Sequence, residues 1–244
     1  ALGYEVLRSN TTGSRNIAIG YKALCSNTDR SSLVAVGDSA LLSNGTNATQ
    51  SYQSIENTAV GSRALKSNTV GSYNTALGYR TLEANTTGTR NTAVGDRTLS
   101  SNTTGFRNTA YGSDVLPDTS QGNENTAIGN GSMFNNTTGQ DNTATGRLSL
   151  ANNTTGDANS AMGIKALYQN ASGNHNTAVG DISLYYNTTG NSNTALGNRA
   201  MYHNTTAHSN VAAGTRALYM NSTRSNLVAI GDSALFYNGY NASG

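Results

Sequence analysis

Few residues in this sequence have the types and spacing that catalysis or metal binding requires. The three histidines, His175, His203 and His208, occupy three different positions of the repeat described below, so no single face collects them. A zinc site needs several ligands that converge on one point. The single cysteine, Cys25, excludes an internal disulfide framework and a thiolate cluster. Neither a Gly-x-Ser-x-Gly nucleophile elbow nor a Gly-x-x-x-x-Gly-Lys-Ser/Thr phosphate loop occurs. We therefore predict no enzymatic activity, no metal and no cofactor.

Aromatic residues recur at position 8 of the repeat, where stacking of the repeats would align them in what we call the aromatic file. Aromatic rings spaced at ~4.8 Å could bind sugar rings or a partner subunit, or could pack on one another and close a thin core. Both interpretations stay open. Two further tyrosines, Tyr186 and Tyr237, lie beside the file. The aromatic file comprises Phe134, Tyr168, Tyr185, Tyr202, Tyr219 and Phe236.

Asparagine at position 10 of the repeat is often followed two residues later by Thr or Ser, which is the acceptor pattern for N-glycosylation. The same residues also suit a ladder of turns, because Asn favours turns. In that case they match the acceptor pattern without being glycosylated. We prefer the turn ladder and keep glycosylation as a hypothesis. The matching residues are Asn10, Asn85, Asn102, Asn136, Asn153, Asn170, Asn187, Asn204 and Asn221.

Arginines also share repeat positions and could form a basic strip. Arg63, Arg80 and Arg97 lie at position 5, and Arg90 and Arg107 lie at position 15. A nucleic-acid-binding surface would need a stronger excess of positive charge than the net charge of +2 supplies. Solvated coil edges are the favoured interpretation, and we predict no nucleic-acid partner.

All these positions refer to a repeat that fills the chain and begins at each Ala that precedes an apolar residue and Gly. Twelve of the thirteen spacings between repeats are 17 residues, and the spacing from Ala35 to Ala59 is 24. Ala93–Thr109 is a clear copy, in which Ala and Gly stand at positions 1 and 3, Leu at position 7 and Asn at position 10. The fourteen repeats start at Ala1, Ala18, Ala35, Ala59, Ala76, Ala93, Ala110, Ala127, Ala144, Ala161, Ala178, Ala195, Ala212 and Ala229.

The long third repeat predicts a loop that protrudes at about residues 45–56, because the ladder must resume at Asn57. Tyr52 in this loop is a candidate contact residue. Residues 23–49 match residues 217–243 at 17 of 27 positions, so a second long repeat is expected to begin where the sequence stops. We infer that the chain is a fragment of a longer protein.

The repeat predicts a parallel β-solenoid, or β-roll, formed as one domain by residues 1–244. A unit with one Leu, one other large apolar residue and one Ala cannot bury a core alone, whereas stacked units complete one another. The segment Asn-Thr-Ala-Val-Gly predicts a short strand, and the Gly predicts a tight bend after it. Positions 4–9 are consistent with one helical turn or a second short strand. The fold class is thus all-β or mainly β, with fourteen 17-residue coils.

Composition agrees with this architecture and excludes other classes. Only 35% of the residues are apolar and 11% are charged, against roughly a quarter charged in average globular chains. No apolar run approaches the roughly 18 residues that a membrane span requires, so membrane insertion is not expected. A conventional enzyme core is therefore not expected.

The motif Asn-Thr-Ala-x-Gly-x-x-x-Leu-x-x-Asn-Thr-Thr-Gly resembles repeats of phage tail-fibre-like proteins and large bacterial surface proteins. It is more distantly similar to the head repeats of YadA-like trimeric adhesins, whose Ala-x-Gly strands stack into a β-roll. The resemblance implies an extracellular, cell-surface or virion location. The thin core separately favours further burial through self-association, as a head-to-tail filament or a homotrimer.

We expect a non-catalytic structural rod: a segment of an adhesin, a tail fibre or a self-assembling surface filament. Host-surface or matrix glycans are the expected external partners. An ice-binding solenoid is the alternative, because threonine repeats in a ladder, although the strand carries a single outward Thr row. A polysaccharide-processing solenoid enzyme would need carboxylates clustered across neighbouring coils, and the sequence shows none.

Overall fold

A computed structural model describes residues 1–119 and 121–238, and it divides the chain into two compact units, Ala1–Glu124 and Asn125–Gly244. The regular structure of the described residues is thirteen strands of three residues each. The strands are β1 (Ile17–Ile19), β2 (Val34–Val36), β3 (Thr58–Val60), β4 (Thr75–Leu77), β5 (Thr92–Val94), β6 (Thr109–Tyr111), β7 (Thr126–Ile128), β8 (Thr143–Thr145), β9 (Ser160–Met162), β10 (Thr177–Val179), β11 (Thr194–Leu196), β12 (Val211–Ala213) and β13 (Val228–Ile230).

The strands pair in parallel and in chain order, β1–β6 in the first unit and β7–β13 in the second. Each residue pairs with the residue at the same repeat position in the next coil, as Ala178 does with Ala195. The long repeat keeps this register, because Ala35 pairs with Ala59. The predicted parallel β-solenoid is confirmed. The coil count differs slightly, since the first of the fourteen predicted coils contributes only an isolated bridge from Leu2 to Ile19.

The segment after each strand forms turns, and the part of the chain that the structure describes contains no helix. The expected helical turn or second strand at positions 4–9 is therefore wrong. Residues at positions 5 and 7, such as Ile182 (φ 52°) and Leu184 (φ 51°), adopt left-handed backbone conformations, whereas the residue between them has negative φ. This alternation excludes a helix, which needs consecutive right-handed residues.

The alternating backbone lets the peptide groups bond to both neighbouring coils. Ile182 N–H donates to the Ile164 carbonyl of the preceding coil at 2.9 Å, and Leu184 N–H donates to the Ala200 carbonyl of the following coil at 2.9 Å. Left-handed conformations cost a non-glycine residue about 1–2 kcal/mol. Satisfied backbone hydrogen bonds around the coil offset that cost, because an unpaired buried peptide group is itself unfavourable.

The glycine at position 3 is required by the closeness of the coils. Gly180 has a φ of 127°, and a Cβ atom there would lie 2.7 Å from the carbonyl oxygen of Gly197. Both the backbone conformation and the space therefore exclude a side chain. The predicted role of this glycine at the end of the strand agrees with the geometry.

The apolar core of each coil is narrow. Ala178 and Leu184, at positions 1 and 7, are completely buried, and their equivalents are buried in almost every coil. The strand residues on either side of the alanine point outward. A single large side chain per coil cannot supply the burial that an isolated fold needs, so polar groups must fill the rest of the interior.

Position 10 supplies the first of two buried asparagine ladders. The Asn170 Nδ2 group donates to the Gly173 carbonyl at 2.9 Å within its own turn and to Asn153 Oδ1 of the preceding coil at 2.8 Å. Asn170 Oδ1 in turn accepts a hydrogen bond of 2.7 Å from Asn187 Nδ2. Each amide thus closes its own turn and connects three successive coils.

Position 16 supplies the second ladder, on the other side of the turn. The Asn176 Nδ2 group donates to the Gly190 carbonyl of the next coil at 2.8 Å and to Asn159 Oδ1 of the preceding coil at 3.1 Å. Asn159 Oδ1 also accepts from the Asn176 backbone N–H at 3.0 Å. The predicted position-16 ladder is therefore present, and its side chains are buried.

The long repeat leaves the ladder after Gly45 and rejoins it at Ser54. Gly45 N–H still donates to the Thr69 carbonyl at 3.0 Å. The Asn44 Nδ2 group donates to the Ser54 carbonyl at 2.9 Å, which is the turn-closing contact of position 10. Residues 46–53 therefore stand where an ordinary coil has one residue, which gives seven extra residues within the predicted loop at 45–56.

We predict that Asn170→Ala lowers the free energy of unfolding by roughly 2–5 kcal/mol, because it leaves several buried polar groups without partners. Urea unfolding followed by circular dichroism would measure the change. Asn198→Ala is the matched control, since Asn198 is exposed and makes one surface hydrogen bond. Equal effects of the two substitutions would contradict a structural role for the ladder.

Deletion of residues 47–53 should leave the solenoid folded, because Thr46 then takes the one position that joins Gly45 to Ser54. We expect a stability loss of about 1–3 kcal/mol, since the buried Arg30 loses two carbonyl partners on the insertion. Circular dichroism and urea unfolding would test this. Loss of the folded spectrum would show that the insertion is needed to form the coils.

Candidate functional site

The rings of the aromatic file stack along the second unit from Tyr168 to Phe236. Successive ring centroids lie 5.1 Å apart for Tyr168–Tyr185, 5.3 Å for Tyr185–Tyr202 and 5.2 Å for Tyr202–Tyr219. The last pair, Tyr219–Phe236, is separated by 4.9 Å. The solenoid register places these rings together, because each follows the buried position-7 residue of its own coil.

A second column of side chains, at position 9, lies against the aromatic file. Tyr186 packs edge-on against Tyr185 and Tyr202, and its ring stacks on His203 with a centroid distance of 5.6 Å. A surface depression of about 500 Å³ adjoins Tyr186 and His203 and reaches Thr188 and neighbouring residues. The structure thus brings together residues that the repeat places at adjacent positions.

Packing among the rings shifts the acid–base behaviour of this cluster. Burial and a hydrogen bond with Tyr186 raise the pKa of the Tyr202 phenol to about 12. Burial also raises the pKa of Tyr185 and lowers the pKa of His203. A lowered pKa favours the neutral form of His203 at neutral pH. These shifts favour the neutral forms of Tyr185, Tyr202 and His203, which suits their close packing.

The stacked geometry decides which ring surfaces a ligand can reach. Neighbouring rings cover the faces of Tyr185 and Tyr202, and the Lys165 ammonium lies 5.6 Å from the centroid of the Tyr168 ring. A sugar stacks on the face of an aromatic ring, whereas these rings present mainly edges to solvent. Binding of a glycan or partner by the aromatic file stays a prediction.

The asparagines that match the glycosylation pattern belong to the buried position-10 ladder. In the middle of the second unit the acceptor atom Nδ2 of Asn170 or Asn187 donates both to a turn carbonyl and to the neighbouring asparagine. Attachment of a glycan to the folded coil would break both contacts. The hydrogen bonds of the turn ladder account for the repeated asparagine without glycosylation. Glycosylation itself stays a hypothesis.

The residues considered for catalysis or metal binding lie apart. His208 Nδ1 accepts a hydrogen bond of 3.0 Å from the Asn191 backbone N–H, and His203 lies in the ring cluster. Cys25 is buried. Across residues 1–119 and 121–238, no three histidine, cysteine, aspartate or glutamate side chains are grouped so that they could hold a metal ion.

Four of the five arginines considered for a basic strip form ion pairs with carboxylates. The three at position 5 pair with acidic side chains on their own or a neighbouring coil, and position 15 has one such pair. In the described residues Arg90 forms no ion pair. The pairs are Arg63 and Arg80 with Glu83, Arg97 with Asp114, and Arg107 with Glu124.

A cleft of about 320 Å³ lies where the insertion meets the two coils that follow it. We call it the insertion cleft. The insertion contributes Tyr52 and Gln53, the next coil contributes Ser72 and Tyr73, and the coil after that contributes Thr87, Thr89 and Arg90. The Arg90 guanidinium lies 5.8 Å from the centroid of the Tyr73 ring, which is within cation–π range.

The sequence indicated only part of this site. It predicts the loop and Tyr52 as a contact residue, but it does not identify Tyr73 or Arg90 as neighbours of the loop. A signal was available: Tyr73 and Arg90 share position 15, one and two coils beyond the insertion. The repeat alone does not specify that the insertion folds toward the following coils, so the sequence does not place Tyr73 and Arg90 beside it.

The raised pKa of Tyr202 predicts a pH dependence of stability. Because the folded-state pKa of about 12 exceeds the ordinary value of 10.0, this contribution is complete below pH 10.0 and is lost as the pH rises toward about 12. Tyr202→Phe keeps the ring and removes the phenol, so its unfolding free energy should fall less steeply across that range. Denaturant unfolding at several pH values measures both slopes. Identical slopes would contradict the assignment.

No protein-family model, curated protein or solved structure matches this chain significantly. The described residues contain no helix that is long and apolar enough to span a membrane.

Proposed function

We propose that the chain is a non-catalytic structural rod of an extracellular assembly, as a segment of an adhesin, a tail fibre or a self-assembling surface filament. The rod gives reach and stiffness and displays weak contacts many times along its length. Contacts repeated in this way add through effective concentration, without any single strong site.

One observation supports this proposal above all: each coil bonds to its neighbours through both its backbone and its buried amides. Within the second unit, the coil that begins at Ala178 donates to the preceding coil from Gly180, Ile182 and Ser192. It donates to the following coil from Leu184, among other residues. Hydrogen bonds distributed around the coil resist bending in every direction, as a spacer requires.

The outer face of the sheet supports self-association as part of the same proposal. Position 2 of the repeat points outward and is mostly apolar, with Ile128, Met162, Val179 and Leu196 exposed in the second unit. A row of exposed apolar side chains is typical of an interaction surface. We propose that copies of the chain meet along this face in a threefold bundle; a head-to-tail filament would instead join through coil edges.

Electron microscopy of the native source material tests the proposed function. An antibody against this chain, labelled with gold, should decorate fibres or spikes on the outside of cells or particles, at regular intervals along their length. A parallel preparation treated with pre-immune serum controls for adhesion of the label. Label confined to dispersed monomers or to the cell interior would contradict the proposal.

An ice-binding solenoid is the second candidate, favoured by the regular outward rows of the sheet. Most strands present Thr at their first residue and an apolar residue at their third, with Ala buried between them, as in Thr92, Ala93 and Val94. The repeated hydroxyl and methyl groups form an ordered array at the strand spacing of ~4.8 Å. The second outward row, formed by the third residue of each strand, is mostly apolar. The face therefore differs from one that carries two rows of Thr.

Measurement of thermal hysteresis separates the two candidates. Ice binding predicts a gap between melting and freezing temperatures that Thr143→Arg, in the outward row, abolishes. Thr155→Arg is the control, because Thr155 is also exposed but lies in the turn. Absence of hysteresis in the unmodified chain would eliminate this candidate and leave the structural rod.

A further inference from the structure

The insertion is held in one conformation by a buried arginine of the preceding coil. The Arg30 side chain donates from Nη1 to the Gln50 carbonyl at 2.8 Å and from Nη2 to the Ala48 carbonyl at 3.1 Å. Arg30 occupies position 13, which is Gly in most coils, and its exposed fraction is only 7%. The coil before the insertion is therefore specialised to support it.

Contacts within the insertion and with the next coil fix the walls of the insertion cleft. Gln53 Oε1 accepts hydrogen bonds from the backbone N–H groups of Thr49 at 2.8 Å and Gln50 at 3.0 Å. The Ser72 hydroxyl donates to the Tyr52 carbonyl at 3.0 Å. A preformed cleft needs little ordering when a ligand binds, which favours affinity.

The insertion cleft presents hydrogen-bond donors that the described part of the protein does not use. Gln53 Oε1 is held by the backbone of the insertion, and the Gln53 Nε2 group makes no hydrogen bond within the described residues. The guanidinium of Arg90 and the hydroxyls of Thr87 and Thr89 border the same space. A site rich in donors and carrying one positive charge complements a ligand rich in acceptors and carrying a negative charge.

Two exposed aromatic rings complete the insertion cleft. Tyr52 is 65% exposed and Tyr73 is 43% exposed. Neither ring stacks on another ring in the described residues; the Arg90 guanidinium lies over Tyr73, whereas the face of Tyr52 remains available. Tyrosine combines an apolar face with a polar hydroxyl, which suits a ligand that has both C–H faces and hydroxyl groups.

We propose that the insertion cleft binds an acidic saccharide: a pyranose unit that carries a carboxylate. The sugar ring lies against the face of Tyr52, its hydroxyls meet Gln53 and the two threonines, and its carboxylate pairs with Arg90, beside Tyr73, through a charge-assisted, two-pronged contact. The volume of about 320 Å³ is at the lower end of the range for ligand sites, which fits one or two sugar units.

The neighbouring charges leave Arg90 free for this role. Arg107, the next residue in the position-15 column, is neutralised by Glu124 at 2.6 Å. On the other side, Glu56 lies two coils from Arg90, at a separation of ~10 Å, with Tyr73 between them. Arg90 is therefore the cation available to a ligand in the insertion cleft.

The site goes beyond the structural role proposed above and does not depend on it. The sequence match between residues 23–49 and 217–243 includes Arg30 with Arg224 and Asn44 with Asn238. An arginine therefore stands at position 13 in both segments, eleven coils apart.

Saturation-transfer NMR on the complete chain tests the proposal with methyl β-glucuronide and methyl β-glucoside, which differ only in the carboxylate. We expect the glucuronide to bind about tenfold more tightly than the glucoside, and Arg90→Gln to remove that preference. Tyr52→Ala should weaken binding of both sugars. Arg15→Gln is the matched control, because Arg15 is also an exposed position-15 arginine, with the same φ of 58° but no insertion beside it.

Three results would overturn the proposal. The first is absence of binding of either sugar by the unmodified chain, and the second is equal binding of glucuronide and glucoside. The third is unchanged binding by the variant that lacks residues 47–53, provided its circular dichroism spectrum shows the folded solenoid. None of these results bears on the structural rod, which the microscopy tests separately.

Discussion

The structure depends on hydrogen bonds between successive coils, because one coil buries too little apolar surface to fold alone. Leu184 and Ala178 are the apolar centre of their coil, and the rest of the interior is mainly asparagine, with the small residue Ser183. The amide of Asn170 closes its own turn and bonds to the preceding coil, whereas the amide of Asn176 bonds to both neighbouring coils. Buried amides are favourable only when every partner is present, so the ladders enforce a constant repeat length.

That constraint separates the positions that may vary from those that may not. Positions 1, 3, 7, 10 and 16 face the interior or another backbone, and they hold nearly constant residues. Outward positions carry the variation, including the tyrosines, the paired arginines and the apolar row of the sheet. The long repeat satisfies the same constraint, because Gly45 and Ser54 keep their ladder contacts and the additional residues leave the coil between them.

Tyrosine serves two different purposes on this scaffold, according to its neighbours. Tyr185 and Tyr202 stack on adjacent rings, so they bury their faces and stiffen one side of the second unit. Tyr52 lies at a break in the repeat, so no ring of a neighbouring coil covers it, and Tyr73 in the next coil faces Arg90 rather than another ring. The irregularity in the repeat therefore creates the insertion cleft, in addition to the depression beside Tyr186.

Much of the fold could be predicted from the amino-acid sequence, because a strict period in a polar chain permits few structures other than stacked coils. The period placed Ala35 opposite Ala59, aligned the asparagines and located the insertion. The conformation of the turns could not be predicted, since residues such as Ile182 and Leu184 rarely adopt positive φ and do so here only because both neighbouring coils bond to their peptide groups. The insertion cleft was likewise decided by tertiary structure, because the direction in which residues 46–53 fold depends on Arg30 and Ser72, which contact them across coils.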